Sequence, residues 1–367
     1  MEIEVNDMNK INKKKLAIAI ILFIIVMGMF IYVVFGFLND DSTPKKETKE
    51  ETAQIDEKKE VEKDVSLTIS FAGDCTLGNY AGQPYDGSFN QEYVSQGSDS
   101  TYFFKNVKSV FENDDLTVVN LEGPITTATE HVVKQFPFSG KPEYTKILTS
   151  GSVEAVSVAN NHSEDYYQQG LSDTKKYMQE AQIGLFGYED YFVKDIKGIQ
   201  CGFLGYRSLS LSMNNEEGRA KIKAAIQNLK EKENCQLVFV YYHWGIERQY
   251  QANDDQRSLA HFTIDAGADA VIGSHPHVVQ GTETYNGKPI VYSLGNFCFG
   301  GNRNPSDCDS MIYQLTYQFN GTKQASYQVN IIPCSLTSTK GRNDYQPKIL
   351  EGDEGQRVLD KIKKYSY

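Results

Sequence analysis

Leu16 to Leu38 is an unbroken run of 23 residues without a charged side chain, LAIAIILFIIVMGMFIYVVFGFL. A helix that is apolar all round has no face to turn toward water, so it needs either a large core or a lipid layer. At 1.5 Å per residue this one can span a hydrocarbon layer of about 30 Å with some tilt. Lys13, Lys14 and Lys15 precede it, and Asp40 and Asp41 follow. The positive-inside rule then puts residues 1–15 in the cytoplasm and everything after Leu38 outside. A cleavable signal peptide is the rival reading. Its apolar part is about 7–15 residues and ends at a small-residue site. Here the run is longer and no Ala-x-Ala pattern closes it. Residues 16–38 are therefore expected to be an uncleaved membrane anchor.

The chain changes character at once. Of the 26 residues from Asn39 to Asp64, 16 are charged, and only Ala53, Ile55 and Val61 are apolar. Such a segment buries too little surface to offset its ordering entropy, so residues 39–64 read as a solvated stalk that holds the following domain off the bilayer. From Val65 onward apolar, β-branched runs alternate with helical stretches, giving one domain over residues 65–335 and a polar C-terminal tail over 336–367. The net charge of −11 argues against a nucleic-acid binder, which needs a basic face against phosphates. Six cysteines are too few for a disulfide scaffold. Cys298 with Cys308, or Cys201 with Cys235, could pair outside the membrane, and six free thiols remain the alternative.

The domain's strand candidates are 66–74, 116–123, 154–162, 200–206, 236–245, 269–277 and 289–297. Two more follow, SMIYQLTYQF and ASYQVNIIP, joined by a turn at Asn320-Gly321. Helices are expected over 170–182, 216–233 and 254–266. Near-continuous apolar strands suit sheets covered on both faces, and the strand–helix–strand order indicates an α/β fold.

Five of these strands end in groups that bind metal or move protons: Gly73-Asp74, Asn120-Leu121-Glu122, Asn160-Asn161-His162, His243 and His275-Pro276-His277. In open α/β sheets, sites form beyond the carboxyl ends of strands. If the ends converge, one cleft gains two carboxylates, an amide oxygen and four imidazoles. That set, without thiolate, suits Mn, Fe, Zn, Co or Mg, and a carboxylate can bridge two cations about 3.5–4 Å apart. Each motif also has a bland reading. Gly-Asp after a strand is commonly a turn, Glu122 could cap the next segment, and a lone His243 is more often a satisfied core histidine. His275 and His277 are the strongest local signal, because residues i and i+2 of a strand share a face. Four of the six histidines fall in these motifs.

The blocks SFAGDCTLG, VVNLEGPIT, VSVANNHSEDYYQQGLSDT, GFLGY, VYYHWGIE, GSHPHVVQG and YSLGNF, between about Leu67 and Phe299, resemble the bacterial capsule-synthesis proteins of the CapA type, which are linked to poly-γ-glutamate production. That family in turn resembles the calcineurin-like metallophosphoesterases. The resemblance implies a four-layer α/β/β/α sandwich with one or two divalent metal ions, Mn, Fe or Zn, at one rim. Position by position it implies Asp74, Glu122, Asn161, His243, His275 and His277 as metal ligands. It gives His162 the catalytic role of contacting the phosphoryl oxygen or protonating the leaving group. Gly295 and Asn296 of SLGNF receive no ligand role.

Three departures from the superfamily pattern stand out. The first motif, Asp-x-His elsewhere, is Asp74-Cys75-Thr76. Glu122 replaces an aspartate. Asn160 precedes Asn161-His162 where glycine is usual. One metal position is thus expected to be weaker, with Cys75 a conceivable soft ligand or simply a core thiol. Two functions follow from the resemblance. One is a membrane-anchored extracytoplasmic protein that acts with membrane synthase or exporter subunits on an anionic polymer. The other is an active metal-dependent phosphoesterase or related hydrolase of the cell envelope.

Overall fold

The computed structural model describes residues 64–209 and 212–367. The expected cytoplasmic segment 1–15, the anchor 16–38 and all but the last residue of the stalk 39–64 lie outside the described residues. Among those described, no helix is long and apolar enough to cross a membrane.

In chain order the strands are β1 (Asp64–Thr76), β2 (Asn79–Tyr80), β3 (Leu116–Leu121), β4 (Phe138–Ser139), β5 (Ala155–Ser157), β6 (Gly184–Phe186), β7 (Phe192–Ile196), β8 (Ile199–Ser208), β9 (Leu237–Trp244), β10 (Ala270–Ser274), β11 (Thr282–Tyr285), β12 (Lys288–Val291), β13 (Asn296–Phe299), β14 (Asp309–Asn320), β15 (Lys323–Ser335) and β16 (Lys348–Ile349). The α-helices are α1 (Phe89–Ser95), α2 (Lys108–Phe111), α3 (Thr145–Ser150), α4 (Tyr167–Glu180), α5 (Glu216–Glu231), α6 (Asp254–Asp265) and α7 (Gly352–Lys364). One sheet runs β16-β15-β14-β1-β3-β5-β6, with β13 beside the end of β1. The other runs β11-β12-β10-β9-β8-β7.

The alternation along β1 and β9 explains how these sheets stack. Leu67, Ile69 and Phe71 of β1 share one core with Leu237, Phe239 and Tyr241 of β9, so the two sheets pack face to face. Other residues of the same two strands point the other way. Ala72 and Cys75 join a core with Phe89 and Tyr93 of α1, Ile147 and Leu148 of α3, and Leu171 and Met178 of α4. Val238, Val240, Tyr242 and Trp244 meet Ile222, Ile226 and Leu229 of α5 and Leu259 and Ile264 of α6. Full burial of each such side chain stabilises by about 1.5–3 kcal/mol. The result is a mixed α/β fold with two sheets packed face to face and helices against their outer faces; the mixed α/β class is as expected.

The expected helices all form. Each of α5 and α6 starts at an asparagine cap: Asn215 Oδ1 accepts from Gly218 N at 2.8 Å, and Asn253 Oδ1 from Gln256 N at 2.8 Å. The Gln256 side chain reaches back to Asn253 N and closes a capping box.

Several boundaries differ from the sequence expectation. The strand expected over 154–162 pairs only through Ser157, and the chain then folds into a tight loop that turns Asn160 inward. PIVYSLGNF is two strands, not one: β12 belongs to the six-stranded sheet and β13 to the eight-stranded sheet. Gly295, at φ +75°, lets the chain cross between them, and its carbonyl accepts from Asp74 N at 3.0 Å. A Cβ on Gly73 would stand 1.8 Å from that same carbonyl oxygen, so the close approach needs glycine there. The polar tail contains α7, whose Val358 and Ile362 plug the open end of the inter-sheet core. Its four basic residues from Arg357 on mask this apolar stripe in the sequence.

Candidate metal centre

The parallel strands β1, β3 and β5 of one sheet and β9 and β10 of the other deliver their carboxyl ends to one rim. Asp74, in the last turn of β1, is fully buried. Its Oδ1 accepts from Asn120 Nδ2 at 2.8 Å, and its Oδ2 lies 3.3 Å from both His275 N and His277 Nδ1. Asn161 Oδ1 is 2.7 Å from His243 Nε2, which is 3.0 Å from His275 Nδ1. Glu122 sits one residue beyond β3. Its Oε1 is 3.7 Å from His243 Nε2, 3.8 Å from His162 Nε2 and 3.9 Å from His277 Nε2. All seven residues singled out in the sequence therefore converge.

The expectation for His275 and His277 is corrected in one respect. β10 ends at Ser274, so the two histidines are not strand residues. Both are left-handed, with φ +97° and +57°. Non-glycine residues pay for this conformation in steric strain, which a surrounding network must hold. That network is visible: Asp74 accepts from His275 N, and Asn296 Oδ1 lies 2.8 Å from His277 Nδ1. Asn296 thereby gains a role, aiming His277, that the sequence pattern did not assign.

Glu122 is the odd member. It is wholly buried, and neither carboxylate oxygen has a hydrogen-bond partner. A buried carboxylate in that condition costs several kcal/mol unless a cation meets it. Burial and the nearby Asp74 push its pKa up to about 8. Burial opposes charge on His277, but the Glu122 and Asp74 carboxylates overcome it and raise the ring to about 10. Burial and the neighbouring rings hold His243 far below its ordinary value and His275 at about 4. Both stay neutral at physiological pH, the form that ligates metal. The donor set and the unpartnered carboxylate fit a divalent cation.

His162 stands at the edge. Its Nδ1 lies 2.8 Å from Asp165 Oδ2, so Asp165 fixes the ring and leaves Nε2 facing the centre. Lys134 pairs with Asp165 and reaches His162 Nδ1 at 3.1 Å. Burial holds His162 below its ordinary pKa, with Asp165 opposing. Phe138 packs on the ring at 4.2 Å between centroids.

Cys75 is buried in the helix-side core, where burial raises its thiol pKa, and it is no ligand. Thr76 brings no imidazole; its Oγ1 is buried without a partner. All six cysteines are free thiols.

A cleft of about 390 Å³ opens on this rim, lined among others by His162, His277, Asn296, Glu247, Arg248 and Arg303. Glu247, Asp165 and Lys134 were missed in the sequence. Asp165 lies three residues after His162, a detectable spacing. Glu247 and Lys134 sit in loops that carry no periodic signal.

Set against known proteins, a family profile described as bacterial capsule synthesis protein PGA_cap matches residues 68–301. The PGA biosynthesis protein CapA of Bacillus subtilis (strain 168) is 32% identical over 276 residues, 70% of this chain and 69% of that one. The capsule biosynthesis protein CapA of Bacillus anthracis is 31% identical over 284 residues, 70% of this chain and 65% of that one. A probable polyglutamine synthesis accessory protein of Mycobacterium tuberculosis is 27% identical over 216 residues, 51% of this chain and 57% of that one.

Proposed function

The chain belongs to the bacterial capsule synthesis PGA_cap family, and from that premise we propose that it is an accessory protein in the synthesis or export of an anionic capsule polymer such as poly-γ-glutamate. In this reading residues 16–38 anchor it in the cell membrane with the domain outside, beside membrane-embedded synthase or exporter subunits. The rim is a metallophosphoesterase-type centre with one or two divalent cations. The observation that carries the reading is Glu122, a buried carboxylate without a partner, ringed by His162, His243 and His277.

Asp74, Glu122, Asn161, His243, His275 and His277 would hold the metal. A cation bound there supplies Lewis-acid charge and lowers the pKa of a bound water. Arg248 and Arg303 line the cleft, whereas the arginine–carboxylate pairs among the described residues are those of Arg257, Arg342 and Arg357. Two guanidinium groups without carboxylate partners suit an anionic chain. Phe136, Phe138 and Tyr80 give one wall an aromatic lining.

A second reading, an active hydrolase, is favoured by the Asp165–His162 pair. Asp165 fixes the His162 ring through Nδ1, and Nε2 is left to take or give a proton at a departing oxygen.

The test uses the full-length chain loaded with manganese, assayed for retention of poly-γ-glutamate, for its shortening, and for hydrolysis of a chromogenic phosphodiester. Metal-dependent retention supports the accessory role. Turnover that vanishes in His162→Ala supports the hydrolase. A metal-loaded protein that neither retains nor cleaves any of these sinks both. Protease added to intact cells should remove the domain and leave a short membrane-embedded fragment. A mature protein beginning after residue 38 would refute the anchor.

A further inference from the structure

A donor that the sequence reading did not assign faces the same centre. Glu247 follows β9 in an exposed loop, Gly245-Ile246-Glu247-Arg248. One of its carboxylate oxygens, a ring nitrogen of His275 and a ring nitrogen of His277 all lie within 4.8 Å of one another. Asp74, Glu122 and His277 form a second such group, so His277 belongs to both. We propose that Glu247 is a metal ligand of this centre, closing its solvent side. This inference rests on the metal-centre reading above.

The loop is built to hold the carboxylate there. Gly245 turns at φ +81° directly after β9, and Arg248 takes a left-handed φ of +62°. Arg248 N donates to Pro276 O at 2.8 Å, tying the loop to the turn that carries His275 and His277. An isolated exposed glutamate would need no such restraint. The second observation is Glu122, fully buried with both oxygens lacking a hydrogen-bond partner and its Oε1 3.9 Å from Nε2 of His277, the histidine the two groups share. A centre that already holds a carboxylate without a partner is short of positive charge, not of anions. Glu247 beside it adds negative charge, and a divalent cation is the species that makes both placements favourable. Glu247 also borders the cleft on one side and the opening lined by Asn161 and His275 on the other. It can therefore bind metal without entering the core, an arrangement that leaves the ligand exchangeable.

The experiment is equilibrium dialysis of the full-length chain against manganese or cobalt, with elemental analysis and the visible spectrum of the cobalt form. Glu247→Gln, Glu247→Asp and the double variant His275→Ala with His277→Ala are compared with the unmodified protein. The expected result is one cation weakened at least tenfold in Glu247→Gln, with an altered cobalt spectrum. Glu247→Asp should recover part of the affinity, and the unfolding temperature of the metal-free forms should be the same. Unchanged affinity and spectrum in Glu247→Gln, while the double-histidine variant loses metal, would overturn the role of Glu247 and leave the metal centre standing. An unmodified protein that binds no cation would overturn both.

Discussion

Glu122 and Asp309 are both nearly inaccessible carboxylates, and the chain treats them in opposite ways. Asp309, at the start of β14, receives two guanidinium nitrogens of Arg357 at 2.6 and 2.7 Å and Lys361 Nζ at 2.7 Å, all from α7. Burial works against its charge, but Arg357 and Lys361 win and hold its pKa below the ordinary value. Glu122 receives nothing and its pKa rises to about 8. The fold evidently has the means to pair a buried carboxylate. At the rim it withholds them, and the consequence is an opening for a cation from solution. A carboxylate paired within the protein fixes a helix; one left without a hydrogen bond among imidazoles marks a binding site.

The largest expected effect lies on the open side of that contrast. His275→Ala with His277→Ala should lower bound manganese by at least an order of magnitude, because outer-shell changes alone cost about 10–100-fold in affinity. Far-UV circular dichroism should be unchanged, because both side chains sit on a rim turn and outside the three cores. Unchanged metal content would dissolve the distinction between the two carboxylates.

Next comes a pair of opposite signs. Asp309→Ala should destabilise the protein by about 2 kcal/mol, less than a fully buried pair because Arg357 is half exposed. Glu122→Gln, measured in chelator, should leave stability unchanged or raise it by up to about 1 kcal/mol, since it removes a buried carboxyl group that nothing in the protein hydrogen-bonds. Denaturant titration reads both. Comparable destabilisation by the two substitutions would mean that Glu122 has a protein partner after all.

The smallest effect is in acid. Asp309 has a depressed folded-state pKa, so its stabilisation is present above the ordinary carboxyl value near 4 and is lost as pH falls through the lower folded value. Between pH 5 and pH 2 the unmodified protein should therefore lose stability more steeply than Asp309→Asn. Parallel curves would remove the ion pair from the account.

The seven site residues were legible because each lies at or just beyond the end of an otherwise apolar run. Bulky polar groups at such ends need a reason, and parallel strands deliver their ends to one place. Asp165 was within reach of the same logic, three residues past His162. Glu247 closes the block VYYHWGIE but received no role, and Lys134 lay outside every block, because a loop residue has no periodicity to betray where it points. The helix α7 hid for a different reason. Its two core residues, Val358 and Ile362, are spaced one turn apart in a stretch that is otherwise charged, and only the gap between the sheets shows what they fill.

The sequence by itself determined the alternation of strands and helices, the two-faced burial of β1 and β9, and the list of metal-capable side chains. These follow from period-two and period-3.6 hydrophobicity, which are local properties of the chain. Tertiary structure alone decided that PIVYSLGNF divides between two sheets at Gly295, that His275 and His277 are held left-handed by Asp74 and Asn296, and that Glu122 finds no partner while Glu247 faces the same histidines. Each of these depends on which backbone comes within 3 Å of another from far along the chain. No local pattern encodes that distance; it is set only when the two sheets close on their shared core.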